Sequence, residues 1–186
     1  MRRFDRLEAP EFWKDFDERW QLRLSEAGAS DVNPLRWQHA GRSLAHWFHQ
    51  TVRPASEPRL CAYCDGALAV TSGETIDHFV PMRLARHRAL NWTNLFPACS
   101  LCNSHFKRDR CPWGVAKPDR DPVDTWFDFD PETGELRARL ELGPAVRRRV
   151  RRAIWMFQLN TQDRCNARRW VFKQIANAKL VDDADT

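Results

Sequence analysis

Two Cys-x-x-Cys pairs enclose the middle of this 186-residue chain: "CAYC" carries Cys61 and Cys64, and "CSLC" carries Cys99 and Cys102. No other feature restricts the fold as much. Four thiolates at such spacings make a tetrahedral site for structural Zn²⁺, with no position open for chemistry. The alternative is four buried free thiols. The 34 residues from 65 to 98 exceed the gap of a common zinc ribbon, so a small folded unit fits between the pairs, its ends tied by the metal.

Inside the clip, "GALAVTSGETIDHFVP" predicts a hairpin. Ala67 to Thr71 would pair with Glu74 to Phe79 across Ser72-Gly73, a small-plus-Gly turn. Asp77 and His78 then fall at the end of the second strand, just before Pro81. A carboxylate can hold a hard divalent cation, and a neutral imidazole can take a proton from water, which together suit phosphodiester hydrolysis. Neighbours on a regular strand point to opposite faces, so the two share a site only if the strand ends, twists or bulges there. A plain strand-end pair fits the same residues.

In "NWTNLFPACSLCNSHFK", Pro97 is compatible with the first turn of a helix, which predicts a helix starting near Thr93 or Asn94 and carrying both cysteines. On it Cys99, Asn103 and Lys107 would share a face. Asn94 also suits a plain helix N-cap. His105, two residues round from Asn103, would face elsewhere.

Taken together, "C-x2-C … I-D-H-F-V-P … W-T-N-L-x4-C-x2-C-N" resembles the HNH endonucleases, the ββα-metal nucleases, in their zinc-stabilised form. The resemblance covers about residues 61 to 107. It implies an α+β fold, with a zinc-stabilised ββα-metal core between flanking N- and C-terminal helices and an extra β-hairpin. The three signature positions fall on His78, Asn94 and Asn103, the third an asparagine that such nucleases also use. The resemblance implies that Asp77 and Asn103 hold a catalytic Mg²⁺ or Mn²⁺, that His78 is the general base, and that Asn94 fixes the loop that aims it. Lys107 would contact a phosphate, although three residues separate it from Asn103 where many such nucleases have two. The expected products are a 5′-phosphate and a 3′-hydroxyl.

The flanks add a looser likeness. The helical N-terminal segment, "WTNLFPAC", a later "FDFDPETGEL" and a C-terminal "LN…RR" resemble the HNH nucleases of Septu-type and retron-associated bacterial defence systems. That likeness implies an ATPase or other defence-complex subunit as a partner. A zinc-containing DNA-binding module without cleavage, and a nuclease subunit silent without its partner, are the alternative readings.

Apolar spacing predicts helices over residues 10–27, 35–52 and 162–178, a fourth marked by Val146, Val150, Ile154 and Phe157, and a hairpin in "WFDFDPETGELRARL". The domain reading is a helical extension at 1–56, the nuclease core at 57–112, and a hairpin with basic helices at 113–186, compact with the core. Net charge is +5. Between Gly143 and Leu180 the only acid is Asp163, against a run of basic residues that includes Arg147, Arg148 and Arg151. Such a face suits a polyanion as well as plain solvation. Arg83, Arg86 and Arg88 lie close to the proposed centre and are expected to hold a nucleic-acid backbone, DNA first, as are Arg147, Arg148, Arg151 and Lys107.

His46 and His49 form an i, i+3 pair without a third ligand, and His39 and His87 belong to no cluster. Cys111 and Cys165 read as free thiols, and the nine tryptophans as core. The apolar runs are too short to span a membrane. "MRRFDRLEAPEFWKDF" has no apolar leader core, which predicts a cytoplasmic protein.

Overall fold

The computed structural model describes residues 1–3, 5–27, 38–68 and 73–184, with 179–184 by backbone alone. They divide into two compact units: Met1–Trp113 with Pro118–Asp121, and Gly114–Lys117 with Pro122–Thr186. Helices and small antiparallel strand pairs make up both, an α+β architecture. No helix among the described residues is long and apolar enough to cross a membrane.

The first unit opens with α1 (Glu11–Ala27), followed by a two-residue-strand hairpin, β1 (Gln38–His39) with β2 (Arg42–Ser43), and by α2 (Leu44–Thr51). The helix expected from residue 35 therefore starts at Leu44, with residues 35–37 outside the described residues. Ala40 and Gly41 both take positive φ, at 48° and 73°, and close a tight turn there. Ser43 then caps α2 by accepting from the His46 N–H at 3.2 Å. Trp13, Phe48 and Trp92 pack edge-on or tilted, with ring centroids 5.0 to 5.9 Å apart, and form a dry aromatic cluster.

Strand β3 (Glu74–His78) pairs antiparallel with β4 (Leu95–Cys99), in a register that sets Asp77 opposite Phe96 and His78 opposite Leu95. One expectation is corrected, and another falls outside the described residues. The predicted pairing across Ser72-Gly73 involves residues 69–72, outside the described residues, and the described partner of β3 is β4. The segment read as a helix start is instead a strand preceded by a 3₁₀ turn, Trp92–Asn94. Pro97 is tolerated because its carbonyl points away from β3 and accepts from the Ala62 N–H at 2.8 Å. In a strand the missing N–H would point the same outward way, so the ladder loses nothing.

After β4 the chain winds into a π-helix, Leu101–Lys107, with Cys102 and Asn103 but not Cys99 on it. Its wider winding shows in the Arg108 N–H, which donates 2.7 Å to the Asn103 carbonyl five residues back.

In the second unit, β5 (Phe127–Phe129) and β6 (Leu136–Ala138) form the expected hairpin. Asp130 Oδ1 accepts from the Glu132 and Thr133 N–H groups at 2.9 and 3.1 Å and so holds the turn. Gly134 follows at φ 78°, where a Cβ would stand 2.2 Å from the Cys165 carbonyl oxygen. Helix α3 (Pro144–Met156) starts with Pro at its first position, and α4 (Gln162–Ala184) runs past the expected 178 into the acidic tail. Trp13, Trp20, Trp92 and Trp126 are buried as expected; Trp113, Trp155 and Trp170 are not.

Candidate active site and metal centre

The four cysteines converge. Their Sγ atoms all lie within 4.8 Å of one another, and Cys64 Sγ is 3.8 Å from Cys99 Sγ. A tetrahedron of thiolates with metal–sulfur bonds of about 2.3 Å has edges of about 3.8 Å, so the set is positioned to bind one metal ion. Cys99 ends β4 and Cys102 opens the π-helix, while Cys61 and Cys64 come from the turn before β3. A metal there ties the turn before β3 to β4 and to the π-helix that carries Asn103.

Asp77 lies 2% exposed on β3. Its Oδ2 accepts from the Tyr63 hydroxyl at 2.5 Å and its Oδ1 from the Lys107 ammonium at 2.9 Å. Burial, and then the Asp77 carboxylate, push the Tyr63 phenol well above its ordinary pKa, so it stays a donor. Lys107 also donates to the His78 carbonyl at 2.8 Å and is itself fully buried. The lysine expected to reach a phosphate therefore turns inward. Tyr63 was not singled out from the sequence, although it is the chain's single tyrosine and sits between two metal-site cysteines.

His78 is the last residue of β3, and its ring leaves the strand for the following loop. Nε2 lies 2.9 Å from the Ala89 carbonyl oxygen, which can only accept, so Nε2 carries the hydrogen and Nδ1 is the basic nitrogen. Burial, aided by the Lys107 charge, lowers the pKa of this imidazole; the Ala89 bond and Asp77 oppose the shift. The net shift favours the neutral imidazole.

The loop itself is held from two sides. Asn94, buried, accepts from the Val80 N–H at 2.9 Å and donates to the Val80 and Arg88 carbonyls at 3.1 and 3.0 Å. From α1, Trp13 Nε1 donates to the Leu90 carbonyl and Trp20 Nε1 to the Arg86 carbonyl, each at 2.9 Å. These bonds bracket Ala89, the anchor of His78. Arg6, also missed in the sequence, donates to the Trp92 and Leu95 carbonyls at 2.8 Å, stacks on Phe96 and pairs with Asp119 at 2.5 Å.

Asn103 Nδ2 donates to Thr75 Oγ1 at 3.0 Å and to the Ile76 carbonyl at 3.2 Å, turning its Oδ1 into the available acceptor. A divalent cation needs oxygen donors of this kind. Both Asp77 oxygens are already engaged, by Tyr63 and by the Lys107 ammonium, which also holds the His78 carbonyl. A cation binding at Asp77 would have to take the place of the Lys107 ammonium. His105 is exposed, with its ring beside Phe106. Arg83 is exposed and pairs with Asp109 at 3.6 Å; Arg86 is half-buried. Arg147, Arg148 and Arg151 all lie on α3 of the second unit.

Residues 61–108 match the family model described as HNH endonuclease. No curated protein matches the chain.

Proposed function

We propose, from the match of residues 61–108 to the HNH endonuclease family model, that the protein hydrolyses phosphodiester bonds in nucleic acid, DNA foremost, with the aid of a divalent metal. The observation that carries this reading is the His78–Ala89 bond, which gives the imidazole a basic Nδ1 and a fixed direction. His78 acts as general base on water. As the water oxygen bonds to phosphorus, its proton passes to Nδ1 and the P–O3′ bond breaks; the departing O3′ takes a proton from solvent, leaving a 5′-phosphate and a 3′-hydroxyl. Asn94 holds the loop that aims His78. Asp77 and Asn103 would hold Mg²⁺ or Mn²⁺, which when bound supplies positive charge to the phosphate and the departing oxygen. Zinc is the ion assigned to the four cysteines, where it stabilises the fold. The setting proposed is the cytoplasm, with the nuclease as effector of a bacterial anti-phage defence system.

Plasmid cleavage with Mg²⁺ or Mn²⁺, wild type against His78→Ala, tests the reading. Loss of cleavage in the variant supports it; equal cleavage overturns the mechanism. No cleavage by either leaves the alternative of a DNA-binding module. A second reading, a nuclease subunit dependent on a partner such as an ATPase, draws support from α4, where Trp170, Val171, Phe172 and Ile175 are exposed. Cleavage that appears only on co-expression with a neighbouring gene product would favour it.

A further inference from the structure

The second unit contains a cavity of about 590 Å³ between β6 and α3. Its apolar lining comes from Leu136, Ala138, Leu140, Ile154 and Trp155, and two arginines, Arg147 and Arg151, project from the same helix. Arg147, Arg151 and Trp155 are spaced i, i+4 and i+8, so they form one stripe along α3.

The polar groups of this cavity divide into satisfied and unsatisfied. Asn160 bonds the Leu136 N–H and carbonyl at 2.9 Å each. Arg137 pairs with Asp128 at 3.2 Å and Asp130 at 3.5 Å. Arg147 and Arg151, by contrast, make no ion pair among the described residues, and the Nε of Arg147 is buried without an acceptor. A buried donor left unpaired is unfavourable, and two guanidinium groups without a counter-charge beside an apolar wall suit an anionic ligand. No carboxylate lines the cavity to supply that counter-charge.

The required ligand therefore combines an anionic acceptor with a flat apolar body. Trp155 is 59% exposed and Leu140 84% exposed, so a large part of the apolar surface is offered outward. A duplex presents phosphates but keeps its base faces stacked; an unpaired nucleotide presents both. We propose that this cavity binds an unpaired nucleotide of single-stranded nucleic acid, with Trp155 stacking on the base and Arg147 and Arg151 on its phosphates. The assignment rests on the nuclease reading and narrows its substrate to strands with single-stranded or branched segments.

Fluorescence anisotropy tests this with labelled oligonucleotides of one sequence, single-stranded and duplex, and the full chain carrying His78→Ala so that nothing is cut. Single strand should bind more tightly than duplex. Trp155→Ala should weaken single-strand binding about fivefold or more, in line with the loss of one base stack, and leave duplex binding within about twofold. Arg147→Ala with Arg151→Ala should weaken it further and flatten its salt dependence. Ala138→Phe, which fills the cavity without removing charge, should reproduce the Trp155→Ala loss, and thermal melts verify that each variant is folded. Equal affinity for both forms, or unchanged single-strand binding in Trp155→Ala, would overturn the proposal. Plasmid cleavage by the wild type is read separately, so failure of the nuclease assignment is distinguishable from failure of this one.

Discussion

The Lys107 ammonium lies 2.9 Å from Asp77 Oδ1, and both side chains are closed off from solvent. A buried pair of this kind need not add net stability, but removing one partner leaves an uncompensated charge. Lys107→Met should therefore cost about 3–5 kcal/mol in urea unfolding. If the lysine stands where a divalent cation would sit, Mn²⁺ should restore part of that loss in the variant, because an ion bound only by the native state stabilises it. A variant as stable as wild type would mean that Asp77 is solvated in solution.

His78 must be neutral to act as a base, and burial lowers its pKa from the usual 6.5. Cleavage should rise with pH along a limb whose midpoint lies below 6.5, and be level by neutrality. A pH–rate profile at saturating Mg²⁺ checks the sign. A midpoint above 6.5 would remove His78 from this role.

His49 provides a separate pH effect. It is buried on α2, its Nε2 has no hydrogen-bond partner, and burial followed by the charges of Arg59 and Arg53 holds its pKa near 4. The unfolded imidazole takes up a proton near 6.5, so between those values the unfolded chain binds more protons. Stability is fully present above 6.5 and falls as pH drops toward 4, by about 3 kcal/mol over that window. Urea unfolding at pH 7 and at pH 4.5 should show the loss, and His49→Leu should reduce it.

Metal analysis should find about one zinc per chain, the stoichiometry of a single four-thiolate set. Cys99→Ser should release it, and strong chelators should unfold the first unit, because binding energy at such a site is folding energy. A chain that keeps its melting temperature after complete metal removal would contradict this.

Asn94→Ala leaves the Val80 N–H and carbonyl without their partner, at a cost of about 1–3 kcal/mol. If Asn94 aims His78, kcat should also fall while KM holds. A stability loss with kcat unchanged would make Asn94 a purely structural residue.

The metal clip was legible in the sequence because its chemistry depends on residue type and short spacing, both local. Strand β3 was legible for the same reason. Strand β4 was not: Pro97 fits a helix start and an edge strand equally well, and only pairing across the site with β3 decides between them. Tyr63 and Arg6 were illegible because each acts on a segment far along the chain, Arg6 on Trp92 and Leu95, Tyr63 on Asp77. The inward turn of Lys107 belongs to the same class, since a lysine's destination is set by where the carboxylates end up. The aromatic count pointed to a core but could not separate Trp92, which is packed, from Trp155, which is not.

The π-helix at Leu101–Lys107 sets which side chains face β3. Its wider turn lets Asn103 meet β3 while Lys107, four residues on, reaches Asp77. Length along the chain and facing across the site are thereby uncoupled. A search that demands a fixed step between the asparagine and the lysine would pass over a chain like this one, although both side chains point at the same strand.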